Sequence, residues 1–579
     1  MRLAGGAVRP ARALAFVNPC HPMSTPPLPS PFWPKGLSTR LHLPQTTLVS
    51  NLEIAARRYP DKPAYVVYGH RATFGRIWRD AQALAGWLQQ RAGVRPGDRV
   101  LLSGQSSPQF ATAYHAIQRA DAVAVPVNPM NLSEEFAHAA QDSGARVVIA
   151  AQELWPRLAP LVGREIDHVV LFAYSEGLDG LDADTPDWFA AAPEASPHPA
   201  ATRWGEALAE GLVPAPATAG PDDLALIAFT SGTTARPKGC THSHRSLMAA
   251  ALTPAIWRSE TAEDTFLGAS PMFHMQGLQA LVNTVTYLGS TVVLLPRWDA
   301  ARAAALIAEH RVSRWGVAPP MLLDLLALPG LKPDALDSVA VITGGGSALP
   351  EAVNERLTRE LGIRYMEAYG MTETASMLMA NPLQRTKRQC LGIPTFGVSA
   401  MVVDPVTLEP YPEGATPDSG ELWVAGEQVS PGYWHNDKAN AETFVLREGR
   451  RWLRTGDLVT RDADGYHFLV DRLKRMINVG GYKVWPTEVE SLLHRHPGVQ
   501  EACVIAIPHP TRGEQVRAVV VRRPGEALSA EALMEWAKGQ MATYKCPREV
   551  EFVDRLPRSG TGKIDWRSLQ EAARAAAAS

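Results

Sequence analysis

Two long stretches, residues 51–151 and 224–380, alternate short apolar runs with helical periods, and this rhythm limits what the chain can fold into more than any other feature. In the first stretch, Thr73 is placed to cap a helix through Trp78, Leu84 and Leu88. Gly97-Asp98 then turns into a strand at 100–103, followed by a helix near 111–119 and a strand at 122–127. Ser133 is placed to cap the next helix, and 146–150 reads as the next strand. Successive β-α-β units require right-handed crossovers and a largely parallel sheet. Residues 175–220 are rich in Pro, Ala and Asp and read as an elaborated surface connection. Residues 396–470 carry short strands between Gly and Pro turns, which predicts a small antiparallel or barrel-like piece. After Asp471 the pattern predicts a separate small α/β unit with a helix near 488–494, strands at 503–507 and 516–521, and a helix from Ser529 at its cap to about 541. The expected fold class is α/β: a large N-terminal domain of parallel-sheet subdomains plus a barrel-like piece, then a small mobile C-terminal α+β domain. The expected boundaries are 47–473 and 474–579.

At the end of the apolar run 224–229 stands Thr230-Ser231-Gly232-Thr233-Thr234-Ala235-Arg236-Pro237-Lys238-Gly239. Small residues let backbone N–H groups approach a polyphosphate, hydroxyls donate to its oxygens, and Lys238 adds a point charge. The order differs from the common phosphate loop, in which Gly-Lys-Ser/Thr closes the motif. Here Lys238 precedes the second glycine and Cys240 follows it. A plain Ser/Thr/Gly surface turn is the competing reading of such a string.

Composition excludes several function classes. The 579 residues carry a formal net charge of −2, which gives no basic surface for nucleic acid. Five cysteines, Cys20, Cys240, Cys390, Cys503 and Cys546, show no paired spacing, which argues against a zinc ribbon or disulfide framework and fits a reducing, cytoplasmic compartment. Residues 265–296 lack Asp, Glu, Lys and Arg, but Pro271, His274, Gln276 and Gly277 interrupt them too often for a membrane span. They read instead as a buried helix and strand. The first 52 residues carry no acidic side chain. Residues 1–46 fit a disordered extension: a transit peptide, or a leader upstream of a true start at Met23.

Five further motifs follow in order. They are Tyr369-Gly370-Met371-Thr372-Glu373-Thr374, Arg454-Thr455-Gly456-Asp457, Asp471-Arg472-Leu473-Lys474, Gly480-Gly481-Tyr482-Lys483 and Pro557-Arg558-Ser559-Gly560-Thr561-Gly562-Lys563. Together with 230–239 they resemble the adenylate-forming (AMP-binding) superfamily of acyl-CoA synthetases, peptide-synthetase adenylation domains and luciferases, over roughly residues 50–570. Gly480-Gly481-Tyr482-Lys483-Val484-Trp485-Pro486 and Pro44-Gln45-Thr46 look most like bacterial medium- and long-chain fatty acyl-CoA ligases. The resemblance implies that a carboxylate and ATP form an acyl-adenylate with release of pyrophosphate, and that the acyl group then passes to coenzyme A. Adenylation replaces an oxide leaving group with AMP.

The resemblance also implies roles. Thr230, Ser231, Gly232, Thr233, Thr234 and Lys238 would hold the β- and γ-phosphates, and Gly346, Ser347 and Ala348 the adenine. Tyr369, Gly370 and Met371 would line the nucleotide, Thr372 would touch the α-phosphate, and Glu373 would bind Mg²⁺. Asp457 and Arg472 would hold the ribose. Lys563 would bridge the attacking carboxylate and the α-phosphate, acting on the barrier. Lys474 would be the hinge about which the small domain alternates between half-reactions, presenting Gly480 and Gly481 to coenzyme A. His274 would gate the acyl tunnel, with Met272, Met275, Met371 and Met377 as candidate lining. The alternatives are an aryl or branched acid, delivery of the acyl group to a carrier protein, and an inactive nucleotide-binding relative. A homodimer is one option for assembly. A peripheral membrane contact suits a fatty-acid consumer, though no amphipathic basic helix marks one.

Overall fold

The computed structural model describes residues 30–578 except 179–181, 183, 231–236, 346–348, 350, 413, 418, 481, 510–512 and 559–563. Among the described residues the strands gather into four sheets. The first is parallel through its centre, in the order Arg364–Met371, Val341–Gly344, Arg314–Val317, Thr265–Gly268, Thr291–Leu294 and Pro63–Val67. Antiparallel strands close both of its edges. The second is parallel from Ala201–Arg203 across to Leu224–Thr230 and becomes antiparallel at Lys238–Ser243 and Gly432–Tyr433. The predicted parallel α/β architecture is therefore present twice.

The third sheet is the antiparallel piece expected at 396–470. It runs Ser399–Val403, Gly420–Ala425, Arg450–Arg461, Phe444–Arg447, and His467–Arg472 pairs with the long strand Arg450–Arg461. The fourth lies wholly after Asp471 and has its own core of Ile477, Val504, Val516, Val520 and Leu533. Helix Ala530–Lys538 begins where Ser529 Oγ accepts from Ala532 N at 3.1 Å.

Local chemistry set most helix starts as expected. Thr73 Oγ1 accepts from Arg76 N at 3.2 Å and opens helix Phe74–Gln90, whose Ile77, Ala81, Leu84 and Leu88 are buried. Ser133 is a correction. It is the first helical residue of Ser133–Ser143, and the preceding Leu132 N donates instead to Glu135 Oε2 at 2.7 Å. The connection 175–220 also holds more than expected: strand Ala201–Arg203 extends the second sheet and helix Trp204–Ala209 packs on it.

Residues 30–46, expected to lie off the folded body, pack on it. Trp33 sits edge-on against Trp257 at 5.0 Å and Phe396 at 5.3 Å, and Phe32 leans on Tyr466. The aromatic area of Phe32 and Trp33 outweighs the acid-poor composition that suggested a free leader. No described helix is long and apolar enough to cross a membrane.

Candidate active site

The strands Leu224–Thr230 and Lys238–Ser243 form one hairpin, with Thr230 opposite Lys238. The rest of the hydroxyl-rich loop, including Ser231, Gly232, Thr233 and Thr234, lies outside the described residues, as do Gly346, Ser347, Ala348, Gly481 and Lys563. Thr230 Oγ1 donates to Lys238 O at 3.4 Å. The Lys238 ammonium lies 4.8 Å from the centre of the Tyr433 ring. Tyr433 in turn donates its hydroxyl to Glu373 Oε1 at 2.6 Å. A cation, a phenol and a buried carboxylate are thus brought together from three separate stretches of sequence.

The turn carrying Thr372 and Glu373 is fixed by its backbone. A Cβ on Gly370 would fall 1.6 Å from the Ser376 carbonyl oxygen, so only glycine fits there. Ala375 and Ser376 both take positive φ, 50° and 94°, and Met371 N donates to Thr374 Oγ1 at 2.9 Å. Behind the turn, His242 Nε2 lies 2.8 Å from Thr372 O. A carbonyl only accepts, so this ring nitrogen carries the proton. Burial holds the His242 pKa down to about 4, which keeps the ring neutral.

Asp457 is 2% exposed and paired on both oxygens. Tyr369 Oη donates to Oδ2 at 2.6 Å, and Arg472 Nε lies 2.9 Å from Oδ1. Asp457 and Arg472 face each other across the antiparallel pair Arg450–Arg461 and His467–Arg472. Burial, then the Asp457 charge, pushes the Tyr369 phenol up, while that same charge raises Arg472 further. Glu421 braces the turn from below: its Oε2 takes Arg454 Nη2 at 3.0 Å and its Oε1 takes Gly456 N at 3.2 Å.

Past this clamp the chain enters its last unit. Asp471 Oδ2 accepts from Thr487 N at 2.7 Å, and Arg475 pairs with Glu490, whose Oε1 also takes Val504 N at 2.8 Å. Between them, Lys474 is pushed below the usual lysine value by burial and then by the positive fields of Lys238, Arg567 and Arg472, against Glu442. Gly480 has φ +58° at the end of strand Ile477–Val479, and Tyr482 beside it stacks on Tyr544 at 4.8 Å.

His274 precedes helix Met275–Leu278, and its ring lies 4.6 Å from that of Phe273. Nearby, a narrow cleft lies between the first sheet and the π-helical segment Gln279–Thr284. The methionines expected to line an acyl tunnel do not line this cleft. Met272 and Met275 belong to the main core cluster and Met377 to a neighbouring one, so they are core filler. Its walls come instead from residues such as Gln276, Leu281, Gly316 and Thr343.

Sequence reasoning singled out Thr372, Glu373, Asp457 and Arg472, and missed Tyr433, Glu421 and His242, which hold them. Tyr433 stands in Pro431-Gly432-Tyr433-Trp434, and a glycine-aromatic pair after a proline was the one available signal. Among the described residues no cluster of three Asp, Glu, His or Cys could hold a metal ion unaided. Glu373 alone offers one buried carboxylate beside Lys238, which fits an ion that also draws oxygens from phosphate.

Comparison with known proteins agrees with this geometry. A family model described as AMP-binding enzyme matches residues 52–434, and one described as AMP-binding enzyme C-terminal domain matches 488–563. The chain is 32% identical over 561 residues to a long-chain-fatty-acid–CoA ligase of Bacillus subtilis, covering 93% of this chain and 97% of that one. It is 33% identical over 511 residues to a feruloyl-CoA synthase of Amycolatopsis sp., covering 88% and 95%. Among solved structures, an anthranilate–CoA ligase in complex with anthranoyl-AMP superposes with a TM-score of 0.79 at 26% identity, covering 93% of this chain and 99% of the other.

Proposed function

The chain belongs to the AMP-binding enzymes, the adenylate-forming superfamily, and from that premise we propose that it joins a carboxylic acid to coenzyme A through an acyl-adenylate. The observation that carries the reading is the pair of prepared carboxylates. Asp457, held by Tyr369 and Arg472, would accept the ribose hydroxyls; Glu373 is held by Tyr433, whose ring lies against Lys238.

In the first half-reaction the acid's carboxylate oxygen attacks the α-phosphorus of ATP, and the bond to the bridging oxygen breaks to release pyrophosphate. Lys238 steadies the departing phosphates, and Thr372 donates at the α-phosphate. His242 fixes the Thr372 carbonyl and so the direction of that turn. Glu373 would hold Mg²⁺, which supplies charge neutralisation for the phosphates when bound. Lys563 would bridge the carboxylate and the α-phosphate, where negative charge gathers. In the second half-reaction the thiol of coenzyme A displaces AMP from the acyl carbon, and Gly480 and Gly481 would take its arm. Lys474 would be the pivot between the two, because Arg472 before it is bound to Asp457 in the third sheet and Arg475 after it to Glu490 in the last unit.

The acid we propose is a fatty acid of medium to long chain. An aryl acid is the second reading, favoured by the likeness to the feruloyl-CoA synthase. The test is pyrophosphate release from a panel of fatty and aryl acids, with and without coenzyme A. Release that depends on the acid, and thioester only when coenzyme A is present, is the expected result. No release with any acid would defeat the reading. Lys563→Ala should lose acyl-AMP formation by about 10²–10³ while still passing a supplied acyl-AMP to coenzyme A; unimpaired adenylation would remove Lys563 from its role.

A further inference from the structure

The first helix of the last unit takes its cap from another part of the chain. Helix Pro486–Leu493 begins after Trp485, whose side chain offers no cap hydrogen bond. Pro486 has no N–H, so Thr487 N is the first donor that the helix leaves open. That donor is met from outside the unit: Thr487 N donates to Asp471 Oδ2 at 2.7 Å. Asp471 stands on strand His467–Arg472 of the third sheet, opposite Leu458, and is 1% exposed. Its other oxygen, Oδ1, accepts from Arg472 N at 2.6 Å. A carboxylate placed at a helix N-terminus also meets the positive end of the helix dipole. The helix itself packs on the strand that carries Asp471.

This bond crosses the pivot, since Asp471 lies before Lys474 and Thr487 after it. On the near side, Arg472 is tied to Asp457. On the far side, Arg475 pairs with Glu490, whose Oε1 takes Val504 N, and Arg475 Nη1 donates to Thr487 Oγ1 at 3.3 Å. Each side is held within itself, and Asp471 joins the two. The orientation so joined brings the C-terminal helix Trp566–Ala578 toward the ribose clamp. Burial, then the positive field of Arg472, holds the Arg567 pKa on that helix below the usual arginine value. In sequence, Lys563 precedes the helix by three positions. With Lys563 in the role given above, this is the orientation of the first half-reaction.

We propose that Asp471 is a latch between the two half-reactions: it caps helix Pro486–Leu493 while the last unit faces the nucleotide, and releases it when the unit turns toward coenzyme A. The proposal rests on the acid–CoA ligase reading and adds a positioning residue to it. Turning about Lys474 carries Thr487 away with its helix, while Asp471 stays on the third sheet. The helix then loses its cap, and the buried carboxylate loses its partner at Oδ2. A hydrogen bond to a charged acceptor weights the state that makes it by about tenfold or more. The bond therefore favours the first orientation with no contact to any substrate. Asp471 acts through the unit that carries Lys563 and Gly480.

The experiment times the two half-reactions separately on the intact enzyme: single-turnover acyl-AMP formation from ATP and acid, and transfer from supplied acyl-AMP to coenzyme A. Asp471→Ala should slow acyl-AMP formation by about tenfold and leave transfer as fast as in the wild type, or faster. Asp471→Asn keeps an acceptor oxygen for Thr487 N and should fall between the two. A merely structural role would slow both half-reactions together, and that result overturns the proposal. Acyl-AMP formation at the wild-type rate in Asp471→Ala overturns it as well and leaves the ligase reading standing. Wild-type enzyme that releases no pyrophosphate with any acid overturns both. If Asp471→Ala does not fold, Asp471→Asn decides: slowing confined to acyl-AMP formation supports the latch, and no slowing overturns it.

Discussion

The cluster around Asp457, proposed to hold the nucleotide, and the ion pair Arg258–Glu260 at the first sheet both bury charge, but only the first is fully paired. Around Asp457 each carboxylate oxygen has its partner, and Glu421 and His242 brace the neighbouring backbone. In the Arg258–Glu260 pair, Glu260 Oε2 has no donor among the described residues. A ligand that never changes can be met by groups already locked in place, since preorganised donors need no rearrangement when charge develops.

The strongest break of this contrast is Asp457→Asn. It removes a charge that Tyr369 and Arg472 both use, so kcat/KM for ATP should fall by about 10²-fold, the value of two charge-assisted hydrogen bonds. The ratio between fatty and aryl acids should stay as in the wild type. A shifted acid ratio would mean that the two clusters are one network. Tyr433→Phe is milder. It leaves Glu373 without its donor, and adenylation should slow by about tenfold, measured as single-turnover acyl-AMP formation, while transfer from supplied acyl-AMP to coenzyme A is unchanged. Equal slowing of both half-reactions would move Tyr433 out of the phosphate region and into general support.

How much of this was legible beforehand follows the same division. The parallel sheets, the antiparallel piece at 396–470 and the last unit were readable because strand and helix periods and caps such as Thr73 and Ser529 are local. Thr372, Glu373, Asp457 and Arg472 were readable because each sits in a short string of unusual composition. Tyr433, Glu421 and His242 were not, because an ordinary residue acquires its role only through a partner far along the chain: Tyr433 meets Glu373 across 60 positions and Glu421 meets Arg454 across 33. Arg258, Glu260 and Arg314 were hidden for a further reason. Arg258 and Glu260 follow helix His244–Trp257, where a charged residue normally reads as solvated surface, and Arg314 opens strand Arg314–Val317, whose register turns it inward. Residues 32 and 33 erred the other way, since acid-poor composition outweighed two aromatics that in fact pack on Trp257 and Tyr466.

The smallest expected effect concerns acid. His242 behind the Thr372 turn has its pKa held down to about 4 by burial, and His115, near the π-helical segment, is held to about 3. In the unfolded chain both return to the usual histidine value of about 6.5. Between those limits the unfolded state binds more protons than the folded one, so stability falls as pH drops from about 6.5 toward 4 and is unaffected by these groups above that range. Burial also raises the carboxyls of Glu260, Glu367 and Asp471, which oppose the trend because the folded state then holds the extra proton. The wild-type slope alone therefore mixes the two, and a variant separates them. His242→Asn keeps a donor for the Thr372 carbonyl but deletes one titration. Urea unfolding at several pH values should give a shallower loss for the variant, by up to about 1.4 kcal/mol per pH unit between pH 6 and 4.5. Parallel curves would mean that His242 is already protonated in the folded protein. The Thr372 turn would then rest on a cation where a neutral donor has been assigned.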